Sequence, residues 1–193
     1  VLILLNIIIF LVMIFIGLDF VSPTTKELLD IGGNRRQEIL NGEYWRLLSS
    51  NFIHIGVFHL FQNLLGLVFS IVFLEKLIGY MKFILVYIVC GIFASLASIY
   101  WHEDVLSVGA SGAIFGLFGV MLAFAVFKIF SDYMRKFVGI FLGLVMGLSL
   151  LFGMVKSVDN AAHIGGLISG FVIGAIFVFA NKEQLRIKEK KEF

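Results

Sequence analysis

Apolar residues in this chain run in long blocks instead of alternating with polar ones. Six blocks approach the ~20 residues a helix needs to cross a bilayer. They cover roughly 1–18, 54–74, 83–100, 108–127, 137–155 and 161–180. None has the period-2 alternation of a barrel strand, and backbone groups in lipid must be satisfied within their own segment, so each block predicts a helix. Connections after the second to fifth blocks are short, which favours antiparallel neighbours. The expected fold is all-α: a polytopic membrane protein with a six-transmembrane-helix bundle over 1–181 and a charged, solvated tail over 182–193. The one long connection, 19–53, holds Ser22-Pro23 as a helix start and Gly32-Gly33 and Asn41-Gly42 as turns. Its aromatics Tyr44 and Trp45 beside Arg46 predict short helices partly embedded at the outer interface.

Composition agrees. The chain is 60% apolar with 22 Phe, a single Pro and mean hydropathy +1.04, against about 45–50% apolar in ordinary soluble domains. A net charge of +2 gives no nucleic-acid footprint. The lone Cys90 lies inside an apolar run, which excludes a disulfide within the chain and fits a small buried hydrophobe. The opening Val points to a trimmed or processed start. Residues 1–18 lack a basic leader and a small-x-small cleavage site, so they read as a first span and not a signal peptide.

Basic residues set the orientation. Lys76, Lys82, Lys128, Arg135, Lys136, Lys182, Arg186, Lys188, Lys190 and Lys191 follow spans two, four and six. Lys26, Arg35, Arg36, Arg46 and Lys156 lie on the other side. Ten against five predicts a cytoplasmic C-terminus and, with six spans, a cytoplasmic N-terminus in the cell membrane.

Polar groups at membrane depth are costly and mark function or interhelical bonding. His59 and Asn63, four apart, share one face of span two, while on a continuous helix His54 points about 140° away. Span four carries Gly109-Ala110-Ser111-Gly112, then Gly116, Gly119 and Ala123; span six carries His163, then Gly166, Gly170 and Gly174. Small residues four apart predict close helix packing. If the two thin faces meet, the His163 imidazole reaches the Ser111 hydroxyl. A serine becomes nucleophilic when a base within hydrogen-bond reach takes its proton, and the oxyanion formed on acyl attack needs fixed donors. His59, Asn63 and the Ser111 N–H supply candidates, and glycines flanking Ser111 leave room for a substrate backbone.

Other polar groups carry less. Asp159 precedes His163 by four and reads as part of the connection before span six; His102, Glu103 and Asp104 read as a solvated loop. A metal site from His54, His59 and His163 is disfavoured by the splay of the first two, so no metal or cofactor is expected. Gly139, Gly143 and Gly147 make a thin ridge on span five, most simply a packing face.

Taken together, Gly-Glu-Tyr-Trp-Arg at 42–46, His54 with His59 and Asn63, Gly-Ala-Ser-Gly at 109–112 and Ala-His-Ile-Gly-Gly at 162–166 resemble the rhomboid family of intramembrane serine proteases, in its bacterial, minimal six-helix form. The resemblance implies Ser111 as nucleophile, His163 as general base and no required Asp. It implies an oxyanion hole of His59, Asn63 and the Ser111 N–H, a structural His54, and Trp45-Arg46 as a signature of the embedded loop. It also implies a capping loop around 154–160, a fifth span that tilts to admit substrate, and an active site opening to the extracytoplasmic side. Phe115 stands where many relatives have Tyr, and a Phe can still stack on His163. No appended soluble domain is expected to regulate the chain. The implied partners are the bilayer and membrane proteins whose transmembrane helix is easily unwound, with a small residue beside the cut and no nucleic acid. An inactive relative that binds membrane helices, or a small transporter, are the competing readings; the first would have lost Ser111 or His163, and the second favours acidic residues within spans.

Overall fold

The computed structural model describes residues 1–155 and 159–193. Those residues are helical throughout, without a strand; the single pair with strand geometry is an antiparallel bridge between Asn34 and Ser107. α1 (Leu2–Phe15) is the first apolar helix. The long connection folds into α2 (Thr25–Asp30), α3 (Arg36–Leu40), α4 (Arg46–Ser49) and a 3-10 turn at Ser50–Phe52. Thr24 and not Ser22 caps α2: its hydroxyl accepts the Glu27 N–H while the Glu27 carboxylate accepts the Thr24 N–H. α5 (Gly56–Ser70) runs through a π-turn at Ile71–Glu75 into α6 (Lys76–Ile78). α7 (Tyr80–Trp101), α8 (Ser111–Val126), α9 (Asp132–Val155) and α10 (Asn160–Glu192) complete the bundle.

α8 is the centre. Every residue from Gly112 to Met121 is buried, as expected of a helix that is apolar all round. Its small face meets α10 at backbone distance: a Cβ at Gly166 would be driven into the Gly112 carbonyl, and one at Gly170 into the Gly116 carbonyl. A Cβ at Gly174 would lie 2.8 Å from that of Ala123. The thin faces of spans four and six therefore meet, as the spacing predicts. The core around α8 is filled by Phe83, Tyr87, Leu117, Phe118, Met121 and Phe124. A stacked Phe69–Phe141 pair, 3.6 Å between centroids, ties α5 to α9.

One expectation changes. Among the described residues the ridge Gly139, Gly143 and Gly147 has no packing partner: a Cβ at any of them would meet no atom within 4 Å. α9 instead turns Val138 and Leu142 inward, one step around the helix. The tail is largely exposed, as its charge predicts, and it is a helix with one buried edge. α10 breaks at Asn181 (φ −144°, ψ 32°) and continues, burying Leu185 and Glu189. The Glu189 carboxylate accepts the Ser131 N–H at 2.8 Å, and Lys188 donates to the Leu77 carbonyl at 3.3 Å.

The chain is a multi-pass membrane protein. Among the described residues, Gly56–Ile78, Tyr80–Trp101 and Asn160–Glu192 have the length and apolar character to cross a bilayer, and Leu2–Phe15 and Ser111–Val126 are shorter apolar helices. The 16 residues of α8 rise about 24 Å, short of a ~30 Å hydrocarbon core, because Val108–Ala110 are spent on a turn.

Candidate active site

The turn before α8 is held from outside the bundle. Asn34 and Ser107 exchange backbone hydrogen bonds at 3.1 and 2.8 Å, and the Ser50 carbonyl accepts the Gly109 N–H at 2.9 Å. Asn34 also donates its side-chain amide to the Ser95 carbonyl at 3.2 Å. Arg46 clasps this platform. It is 7% exposed, donates to the carbonyls of Leu29 and Gly33, and pairs with Glu43 at 2.7 Å. Its guanidinium carbon lies 4.7 Å from the centre of the Trp45 ring. Trp45 closes over the loop: a Cβ at Gly32 would sit 2.6 Å from its ring. Farther out, Arg35 donates to Glu38 and holds that carboxyl below the usual glutamate range. Trp45 and Arg46 thus stiffen the segment that carries the Asn34 bridge.

Gly109 has φ +117°, a conformation that L side chains rarely adopt, and a Cβ there would fall 2.5 Å from the His59 ring. A Cβ at Gly112 would fall 2.5 Å from that of Ala94. These glycines are required by the chain's own turn and packing, before any substrate arrives. α8 then opens at Ser111 with no side-chain cap, leaving its first N–H groups without intrahelical partners.

Ser111 Oγ lies 2.8 Å from His163 Nε2. The close α8–α10 packing creates this meeting, since His163 stands one turn before Gly166 on the same face. Phe115, one turn into α8, lies flat on the imidazole with centroids 4.3 Å apart and planes 3° from parallel.

His59 and Asn63 approach from α5, and both come near Gly109: its Cβ would be 2.9 Å from His59 Nε2 and 3.6 Å from Asn63 Nδ2. The Ile55 N–H donates to His59 Nδ1 at 3.3 Å, so the ring's proton sits on Nε2, the edge that faces Gly109. Asn63 spends one amide hydrogen on the His59 carbonyl at 2.9 Å and keeps the other. Two side-chain donors are thus aimed beside the N-terminus of α8.

One reading shifts. His54 does not point away from His59; their ring centroids are 5.3 Å apart, edge to face. The 140° separation assumed one helix, but α5 begins only at Gly56, whose φ of +75° turns the chain between them. His54 is fully buried, with Nδ1 3.2 Å from the Phe52 carbonyl, a contact that holds the loop's end. Asp159 serves as the N-cap of α10: its carboxylate accepts the Ala162 N–H at 3.0 Å and lies 3.6 Å from His102 Nε2. Asp104, its side chain 82% exposed, lies 3.4 Å from the Arg35 guanidinium in a loop that stays open to solvent.

His163 Nδ1 has a different partner, Ser149 Oγ on α9, at 2.8 Å. Sequence reading passed over Ser149. One signal was available: it is the only hydroxyl in the apolar block 137–155. Of the expected capping loop around 154–160, residues 156–158 lie outside the described residues.

A hydroxyl held against an imidazole, beside convergent N–H donors at a helix N-terminus, is equipped for acyl transfer. Comparison with known proteins gives the family. A Rhomboid domain model matches residues 41–179. RHOMBOID-like protein 4 of Arabidopsis thaliana is 38% identical over 159 residues, covering 81% of this chain and 40% of that protein. Rhomboid protease GluP of Bacillus subtilis (strain 168) is 37% identical over 155 residues, 80% of this chain and 30% of that protein. Inactive RHOMBOID-like protein 8 of Arabidopsis thaliana is 34% identical over 167 residues, 86% of this chain and 47% of that protein. The chain spans less than half the length of each of these relatives. The matched region takes in the Arg46 clasp, the α5 donors, the Ser111 turn and the α8–α10 contact, and on that breadth of agreement the chain belongs to the rhomboid family.

Proposed function

We propose that this chain is an intramembrane serine endopeptidase that hydrolyses a peptide bond in or beside the transmembrane helix of other membrane proteins. The observation that carries the reading is the 2.8 Å contact between Ser111 Oγ and His163 Nε2, recessed in the bundle where α8 begins.

His163 Nε2 takes the Ser111 proton as Oγ attacks the scissile carbonyl carbon. The carbonyl oxygen becomes an oxyanion facing the Ser111 N–H, the His59 Nε2–H and the free Asn63 N–H. Collapse breaks the C–N bond, and the leaving amine takes the proton from His163. Water, deprotonated by the same ring, then attacks the ester and frees Ser111. Phe115 acts as a flat wall for the imidazole. Because a peptide carbonyl in an intact helix is shielded and hydrogen-bonded, segments weakened by Gly or Pro are the favoured substrates. The small volume around Gly109 and Gly112 favours a small residue beside the cut. The distribution of basic residues supports cytoplasmic termini and a site toward the extracytoplasmic face of the cell membrane.

The test is cleavage of a model single-span substrate in proteoliposomes by the intact chain, Ser111→Ala and His163→Ala. Cleavage by the intact chain alone supports the reading. Undiminished cleavage by Ser111→Ala defeats it, and a chain that binds the substrate without cutting it belongs with inactive relatives.

A further inference from the structure

Hydroxyls and amides inside these helices usually bond to their own backbone. Ser70 donates to the Gly66 carbonyl at 2.9 Å, Ser169 to the Gly166 carbonyl at 2.9 Å, and Asn6 to the Leu2 carbonyl at 2.8 Å. Ser149 departs from that habit and reaches across to another helix, meeting His163 Nδ1 at 2.8 Å. It is also the only hydroxyl in residues 137–155.

The imidazole of His163 has three neighbours with different geometric consequences. Phe115, parallel to it within 3°, fixes the plane of the ring but accepts either of the two orientations related by a 180° flip about Cβ–Cγ. Such a flip would carry Nε2 away from Ser111. For Nε2 to accept the Ser111 proton, the neutral ring must carry its hydrogen on Nδ1, and that hydrogen needs an acceptor. Asp159 makes no hydrogen bond to the ring: its Oδ1 accepts the Ala162 N–H and lies 3.6 Å from His102 Nε2, while His163 Nδ1 meets Ser149 Oγ.

We propose that Ser149 is a positioning residue for the dyad: its hydroxyl oxygen accepts the His163 Nδ1–H and so fixes the ring's orientation and tautomer with Nε2 toward Ser111. The role falls to a neutral hydroxyl where soluble serine hydrolases use a carboxylate, which spares the membrane interior a buried charge. It also makes the dyad depend on the position of α9. At its inner part that helix is held by Val138, Leu142 and the Phe69–Phe141 stack. At Ser149 this hydrogen bond ties it to α10. Displacing α9 would therefore release the ring.

The proposal rests on the protease reading above. Its test is steady-state cleavage of the model substrate in proteoliposomes by Ser149→Ala, Ser149→Thr and Ser149→Val, with Ser111→Ala alongside. Thr and Val have the same shape and differ only in the hydroxyl, so their comparison separates orientation from packing even if the Ala variant folds poorly. The expected result is a kcat about tenfold lower in Ala and Val, equivalent to ~1.4 kcal/mol. KM should stay within about twofold, and Thr should be close to the intact chain. Equal kcat in Thr and Val, or a loss confined to KM, overturns the proposal. A silent Ser111→Ala beside a fully active Ser149→Ala overturns this proposal alone, whereas an active Ser111→Ala overturns the protease reading and this proposal with it.

Discussion

Gly166→Ala tests whether backbone-distance packing and the dyad are one structural fact. The added Cβ would be driven into the Gly112 carbonyl, which is main chain and has no rotamer to escape through. Carbon and oxygen pack at about 3.5 Å, so α8 and α10 must part by on the order of 1 Å. Overpacking of this kind costs about 1–3 kcal/mol, and the better helix propensity of Ala returns up to ~1 kcal/mol. The larger effect is on chemistry. His163 is one turn from Gly166 and Ser111 is adjacent to Gly112, so the 2.8 Å Ser111–His163 contact stretches beyond hydrogen-bond range. Misplacement by 1 Å lowers turnover by about 10²-fold. Cleavage rates in proteoliposomes and thermal unfolding in detergent measure the two effects. Gly143→Ala is the control, because a Cβ there meets nothing within 4 Å and should leave activity within about twofold of the intact chain. Gly166→Ala with intact activity and Tm would refute the reasoning.

Other expectations follow from the same geometry. His59→Ala and Asn63→Ala should each lower kcat by about 10²–10³-fold with KM little changed, the pattern of a lost oxyanion donor in initial-rate kinetics. Arg46→Lys should destabilise the fold by about 3 kcal/mol in thermal unfolding, because one ammonium cannot satisfy the Leu29 and Gly33 carbonyls and Glu43 together. Glu38 titrates below its ordinary value of 4.5 because Arg35 donates to it. A depressed carboxyl stabilises the fold above its unfolded pKa and loses that effect as pH falls through the folded one. The Tm gap between the intact chain and Glu38→Gln should therefore be full above about pH 5 and close as the pH falls below 4.5; a gap that is unchanged in acid would contradict the assignment.

The helices were legible because blocks near bilayer length leave the backbone few alternatives. The α8–α10 contact was legible too, since Gly166, Gly170 and Gly174 repeat every four residues and His163 falls in register with them. What escaped was geometry that breaks a helical period. The angle between His54 and His59 was read on a helix that does not start until Gly56. The ridge Gly139, Gly143 and Gly147 has the spacing of a packing face, yet spacing alone does not say whether a partner is present in the same chain. Charge at 182–193 rightly read as solvent exposure, but it hid that Leu185 and Glu189 share one buried face of a helix. Ser149 escaped because a single serine in a span ordinarily bonds to its own helix, as Ser70 and Ser169 do.

The central claim is that His163 makes Ser111 nucleophilic within the membrane. Reaction with a fluorophosphonate in proteoliposomes, followed by mass spectrometry of the digested protein, reads this without any substrate. The account predicts a single adduct on Ser111 in the intact chain, and none in Ser111→Ala or His163→Ala. Label on another residue, or undiminished label on Ser111 in His163→Ala, would contradict it.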